Sequence, residues 1–373
     1  MMTEKMTYRW LWNCLIAGGL LLPTGCADDS TGPLPEPEED NRLELSAVTR
    51  TTGATAMPDA DQTIQVYLAT EDSYQSGTFE HTAGGGWTTT GLTVKEEAPY
   101  YIYGYMPSTV TGTVSVTATD LGGDYSKGID LTLSGLPCIT TEDVCVIVGV
   151  QRVTSPTVSP DKPTVTEGSY GYHSGTKGQN YVNLLMAHLY SRLDLCFKID
   201  PDYAELRSIH LKKVILTSKY GTAAVTVSIR DGAGIGSPAF PAASEENEGL
   251  SKPLFESSTT EPVTEPVVPE KVLDKALGSA EMALDIPAYL LPVTAAAGSN
   301  YNLTLKTTYD VWDRGSGQNL GERTSVNKIT LNSSAVRPGN EQKLILTVKP
   351  TYLYILSDND LDNPVIDVNA GGE

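Results

Sequence analysis

The chain is poor in the residues from which most catalytic centres are built. It has only 4 His among 373 residues, which leaves little imidazole for metal sites or triads. No H-E-x-x-H, no G-x-S-x-G and no paired C-x-x-C occurs. Gly232-Ala233-Gly234-Ile235-Gly236 lacks the glycine spacing of a dinucleotide fingerprint and has no βαβ context. Gly84-Gly85-Gly86 sits in a polar stretch and reads as a hairpin turn. Asp358-Asn359-Asp360-Leu361-Asp362 opens like a calcium loop, but Asn363 stands where the loop needs Gly and Asn369 where it needs Glu. A polar turn is the plainer reading. Basic residues are also scarce: 26 Lys and Arg against 46 Asp and Glu, a net charge of −20. Binding nucleic acid through its phosphates needs the opposite sign. The many acids include no pair that stands out for glycosidase chemistry. No cofactor, no metal and no enzymatic activity is expected.

Hydrophobic residues make up 40% and charged ones 19%, which excludes wholesale disorder. The length suits about two domains, each with its own core. Aromatic usage is lopsided, with 19 Tyr against 4 Phe and 4 Trp.

The first residues read as an address. Lys5 and Arg9 precede an apolar stretch from Trp10 to Leu22, broken only by Asn13. It is shorter than the roughly 20 residues a spanning helix needs, and fits a secretory leader. The leader ends in Leu22-Pro23-Thr24-Gly25-Cys26. This resembles a bacterial lipobox with Pro23 in place of its usual Leu, and implies removal of residues 1–25 and lipidation of Cys26. The alternative is a plain leader with a chance cysteine. Ala27-Asp28-Asp29 resembles the surface-export signal of Bacteroidetes lipoproteins. Residues 26–41 are rich in Pro and acids and read as an extended, self-repelling tether. So acidic a chain would hold to an anionic membrane only through the lipid.

Period-two alternation runs along the rest of the chain, so an all-β fold is expected. Ile64, Val66 and Leu68 share one strand face, as do Ile129, Leu131 and Leu133, then Val144, Val146, Val148 and Val150. In the second half the pattern recurs at Leu193–Ile199, Val225–Ile229, Tyr301–Leu305 and Leu344–Val348. Helical turns are expected only at Pro201–Leu206 and Glu270–Leu277. A polar loop at 154–180 divides the strands into domains 42–180 and 181–373. A Pro-, Glu- and Ser-rich segment, 231–270, interrupts the second as a mobile insert without strand pattern.

Cys138 and Cys145 are close enough in sequence for a disulfide in an oxidising exterior, or are two small buried hydrophobes. Cys196 reads as core filler. His188 reads as a core or boundary histidine. Tyr100, Tyr101, Tyr103 and Tyr105, with Trp87, offer either a sugar-stacking platform or ordinary strand packing.

Three stretches together resemble the fimbrillin family of Bacteroidales, the subunits of type V pili. They are Leu43–Thr52; Ala187–Phe197 running on to Ile209–Leu216; and Arg337-Pro338-Gly339 followed by Leu344–Asp358. The resemblance implies two tandem transthyretin-like β-sandwiches, export as an outer-membrane lipoprotein, and cutting after an Arg by an arginine-specific surface protease. The cut would release the first strand with its lipid, and a strand from another fimbrillin subunit would fill the groove, making a fimbrium that serves adhesion. Leu43, Leu45 and Ala47 alternate with Glu44, Ser46 and Val48 as one strand. Cutting at Arg50 frees that strand; cutting at the alternative, Arg42, leaves it. A cut site must also lie in accessible backbone. The C-terminal appendage, 342–373, supplies the donor-strand candidates Leu344, Leu346, Val348, Tyr352, Tyr354, Leu356, Val365 and Val368. The same strands could instead pack in their own chain, as in a tip or anchor subunit. A surface glycan-binding lipoprotein is the other reading.

Overall fold

The computed structural model describes residues 41–50, 62–110, 113–118, 123–156, 164–230, 234–235, 249–257, 276–292, 300–352 and 359–370. Cys26 and the leader lie outside them.

The described chain opens with β1 (Glu44–Arg50), β2 (Gln62–Ala69), β3 (Tyr74–His81), β4 (Trp87–Thr90) and β5 (Pro99–Met106). It continues through β6 (Thr113–Ala118), a 3-10 turn at Tyr125–Lys127, β7 (Gly128–Pro137), β8 (Ile139–Thr140) and β9 (Cys145–Val153). Then come β10 (Gly171–His173), β11 (Tyr181–His188), β12 (Ser191–Ile199) and helix α1 (Pro201–Leu206). The second half holds β13 (Arg207–Ser218), β14 (Thr222–Arg230), β15 (Gly234–Ile235), β16 (Ser251–Glu256), β17 (Met282–Ala283) and β18 (Ala288–Leu290). It ends with β19 (Asn300–Asp313), β20 (Asn319–Asn332), β21 (Glu341–Tyr352) and β22 (Asn359–Ala370). The fold is all-β, as the alternation implies, and its helix at Pro201–Leu206 is the one expected. The Asp200 side chain caps that helix by accepting from the Asp202 and Tyr203 amides, and Pro201 fills the first turn.

Four sheets pair into two layered bodies. An eight-stranded sheet runs β1-β11-β9-β5-β2-β3-β4, with β10 on β5, and a four-stranded sheet runs β15-β14-β7-β6. Their facing side chains, among them Tyr103, Tyr105, Leu131, Val146, Val148 and Val227, form one core. The other face of the eight-stranded sheet buries a core of its own, with Leu43, Ile64, Phe79, Leu92, Ile147 and Leu184. That face is enclosed because the sheet curls until its edges meet. Leu43 N–H donates to Leu92 O at 3.2 Å, and Val94 N–H donates to Asn41 O at 2.8 Å. Gly104 lets β5 pass close to β2, since a Cβ there would come within 2.1 Å of Gln65 O. The second body pairs the sheet β22-β21-β12-β18-β8, with β17 on β12, against β16-β13-β19-β20. Leu195, Phe197, Leu216, Leu305 and Leu346 lie in the core between them.

Several expectations need correction. Four strands cross the expected boundary at 180/181: β11 lies between β1 and β9, β14 returns to pair β7 of the first body and carries β15 with it, and β8 joins β18 of the second body. The sequence marks a polar loop there, but sheet membership is decided by long-range register, which alternation does not encode. The insert is not strandless, because β16 lies inside 231–270 and pairs β13. The expected turn at Glu270–Leu277 lies mostly outside the described residues; Ala276, at its end, forms an isolated bridge with His210. β22 starts at Asn359, within the stretch read as a polar turn.

Candidate functional site

The site is built around β1. This strand runs parallel to β11, with Leu45 opposite Val182 and Arg50 opposite Met186. A bulge between Leu45 and Ala47 breaks the simple alternation. Leu43 and Leu45 face the core, but beyond the bulge Val48, rather than the expected Ala47, packs on it. β1 is therefore the strand that closes the curled sheet, holding β11 on one side while the residues just ahead of it hold the Leu92–Val94 segment.

Arg50 ends the strand, and its side chain is turned inward. Its Nη1 donates to Asp143 Oδ2 at 2.9 Å, and both side chains are about nine-tenths buried, at 10% and 9% exposure. Arg50 Nε is buried without a hydrogen-bond partner, so the guanidinium is imperfectly seated. Asp143 lies just ahead of β9, and register does the rest. His188 on β11 is opposite Cys145 on β9. His188 Nδ1 lies 2.8 Å from Asp143 Oδ2. A carboxylate only accepts, so Nδ1 carries the proton. Cys145 Sγ lies 3.5 Å from Asp143 Oδ2 and 3.5 Å from His188 Nδ1. Burial pushes the Cys145 thiol well above its usual range; the Asp143 carboxylate adds to this and the Arg50 guanidinium opposes it. Cys145 and Asp143 both meet the same His188 nitrogen, Nδ1, so this is no nucleophile–base–orienter relay, which needs the two ring nitrogens facing different partners.

The cluster borders a cleft where the two bodies meet, walled by Tyr190, Arg192, Tyr289, Asn340 and Glu341. Tyr190 Oη donates to Pro137 O at 2.8 Å. Arg192 pairs with Asp194 at 3.0 Å and Glu341 at 2.9 Å. Burial pushes Tyr289 up to about 12. Of the cluster, the sequence reading gives roles to Arg50, as the cut site, and to Cys145, as a disulfide candidate; it takes His188 as a core or boundary residue and passes over Asp143. Asp143 and Cys145 are visible there as a D-x-C pair, but their partner His188 is joined to them by register alone.

The other candidate residues are dispersed. Arg42 is exposed and bridges Thr93. Cys138 and Cys145 are both free thiols. They face different cores, Cys138 the inter-sheet core and Cys145 the curled one, so no disulfide joins them. Cys196 is buried, as expected. Tyr100, Tyr103 and Tyr105 are 6%, 0% and 5% exposed, so strand packing, not a sugar platform, accounts for them. Leu344, Leu346 and Val348 are in the core of their own second body, where β21 pairs β12 in parallel. Val368 packs against that core from β22. Tyr354 and Leu356 lie outside the described residues, as do the side chains of Tyr352 and Val365.

No family model and no curated protein matches the chain. Among solved structures it is similar to a fimbrial protein from Bacteroides vulgatus, at 13% identity and a TM-score of 0.46, over 89% of this chain and 99% of that one. It is also similar to the fimbrial anchor protein Mfa2 from Porphyromonas gingivalis, at 10% identity and a TM-score of 0.31, over 88% of this chain and 97% of that one.

Proposed function

We propose that the chain is a structural subunit of a cell-surface fimbrium serving adhesion. It would be exported as a lipoprotein through Cys26, cut after Arg50 by an arginine-specific surface protease, and joined to other subunits by strand exchange. The observation that carries this reading is the place of β1. It is an edge strand, it closes an apolar core through Leu43, Leu45 and Val48, and it lies between the lipidation cysteine and the candidate cut. Its loss would leave a groove between β11 and the Leu92–Val94 segment. Such a groove suits an added strand, which gains backbone hydrogen bonds along its edge and pockets for alternate side chains.

The partner strand in this reading is β22 rather than β21. Withdrawing β21 would strip Leu344, Leu346 and Val348 from the second core. β22 is an edge strand, alternating Ile366 and Val368 inward, and can leave with β21 still in place. A second reading, a tip or anchor subunit that does not polymerise, is favoured by the burial of Arg50 and by β22 pairing within its own chain.

Mass and N-terminal sequence of the protein from its native membrane test both. A start at Thr51 within heat-resistant high-mass ladders supports the polymerising subunit. A lipid-modified Cys26 start in a monomer supports the second reading and sinks the first.

A further inference from the structure

The side chains gathered behind Arg50 are a metal-ligand set. Asp143, Cys145 and His188 place one ligand atom each within 4.8 Å of one another. A tetrahedral ion with Zn–S of about 2.3 Å and Zn–N or Zn–O of about 2.0 Å needs S–N and S–O edges of roughly 3.5 Å. Both sulfur edges here are 3.5 Å. The remaining Nδ1–Oδ2 edge is 2.8 Å, the length of the hydrogen bond that now spans it. It needs to open by roughly half an ångström to reach the corresponding tetrahedral edge. Thiolate, imidazole and carboxylate together select a borderline ion such as Zn2+ over Mg2+ or Ca2+.

Arg50 now supplies the positive charge at this cluster. Its Nη1 bonds the same Asp143 Oδ2 that would face the ion. Asp143 Oδ1, 3.0 Å from His188 Nδ1, is the other oxygen an ion could use, but in a buried site a guanidinium on the same carboxylate still repels a divalent cation and weakens its binding. The orphaned Arg50 Nε adds a cost to the arrangement that excludes metal. Beyond Arg50 lies the cleft, which gives an ion a way in and a fourth, external ligand.

We propose that Asp143, Cys145 and His188 form a zinc-class site that is closed by the Arg50 guanidinium and opens when Arg50 withdraws. On binding, the Cys145 thiol loses its proton to solvent and forms the metal–sulfur bond. His188 turns from the Nδ1–H to the Nε2–H tautomer, and the Asp143 carboxylate exchanges Arg50 for the ion. Metal binding and the seating of the end of β1 are then antagonistic, and each disfavours the other by the same factor.

Cobalt(II) is the probe, since it takes zinc sites and reports thiolate ligation in the near ultraviolet. It is titrated into the full chain, into Arg50→Gln, and into Arg50→Met as a second variant that keeps the packing of the side-chain stem. Thermal melts confirm that each is folded. The expected result is a thiolate-to-cobalt charge-transfer band in both Arg50 variants, with affinity roughly tenfold or more above the parent, equivalent to about 1.4 kcal/mol. The band is lost when Cys145→Ser or His188→Ala is added, and Zn2+ displaces the cobalt. Folded Arg50 variants with no charge-transfer band overturn the site. A band of equal affinity in the parent overturns the competition with Arg50. An unprocessed Cys26 start in the native protein would sink the cutting proposed above without changing the cobalt result.

Discussion

The Arg50 guanidinium and the Asp143 carboxylate meet at 2.9 Å with both side chains about nine-tenths buried. The end of β1 is thereby tied to the turn ahead of β9. An arginine-specific protease must take the arginine side chain into its own pocket, so cutting after Arg50 requires this contact to open first. Cleavage of a transiently opened segment follows the population of the open form, and a pair this deeply buried is costly to break from one side. Asp143→Asn should therefore speed trypsin cleavage after Arg50 in the full chain, by roughly 10- to 100-fold, since each 1.4 kcal/mol is tenfold. Mass spectrometry of the product at Thr51 reads the rate. Equal rates in parent and variant would remove the latch from the account of processing.

How the site relates to the sequence is clearest at this point. The strand character of Leu43–Arg50 is legible, because Leu43 and Leu45 alternate with polar neighbours, whereas its edge position is not. The bulge at Ser46 was not, since one extra residue leaves the composition unchanged while swapping Ala47 for Val48 on the core. The sequence singles out Arg50 because a cut there frees the whole strand; that its side chain is buried in an ion pair is not legible there. Cys145 and His188 lie 43 positions apart and meet through the β9–β11 register. The same reliance on register explains why β14 could be recognised as a strand from Val225, Val227 and Ile229 but not assigned to the first body. The tyrosines of β5 were ambiguous for another reason: Tyr serves core and surface alike, and only burial separates the two.

The placement of β21 has a direct consequence for stability. Leu346 is fully buried in the second core of its own chain. Leu346→Ala in the monomer should cost about 2–5 kcal/mol, the range for emptying a buried leucine site. Urea denaturation checks this. A variant as stable as the parent would mean that β21 is not packed in its own chain, and would return it to the set of donated strands.

The tyrosines of β5 make a contrasting prediction. Tyr103 is fully buried, and its Oη donates to Tyr125 O at 2.7 Å. Tyr103→Phe should lower stability by about 1 kcal/mol or somewhat more, the usual loss for one buried hydrogen bond. A glycan array should show no strong signal for the parent. A strong glycan signal from the parent that is lost in Tyr101→Ala, where the half-buried ring is removed, would restore the stacking reading of the cluster.

His210 sets a pH dependence in the second body. Desolvation by burial lowers its pKa from 6.5 to about 4. The folded state holds the ring neutral, while the unfolded state protonates it near 6.5. The contribution is therefore intact above about pH 6.5 and falls as pH drops towards 4, by up to about 3 kcal/mol in total. Asp310, opposite His210 on β19, is raised by burial and works in the opposite sense. The comparison that isolates the histidine is thus parent against His210→Gln. Melting temperatures between pH 7 and 4 should fall less steeply in the variant. Parallel curves would show that His210 titrates alike in both states.

The strand-exchange reading can be tested without a pilus. Trypsin cutting after Arg50, followed by removal of the freed segment under mild denaturant, gives a subunit that lacks β1. Its groove has lost Leu43, Leu45 and Val48 from a core that still presents Val182, Leu184 and Leu92. β22 alternates Ile366 and Val368 on one face, so a synthetic peptide of residues 359–373 carries the side-chain period the groove requires. Added in excess, it should raise the melting temperature of the stripped subunit, since a ligand that binds only the folded form stabilises it as RT ln(1 + [L]/Kd). The same peptide with Ile366→Asp and Val368→Asp would bury charge in an apolar slot and should have no effect. Uncut protein, with β1 in place, should ignore both peptides. Equal stabilisation by the two peptides, or none by either, would mean that the space left by β1 does not select β22, and strand exchange through that segment would have to be abandoned.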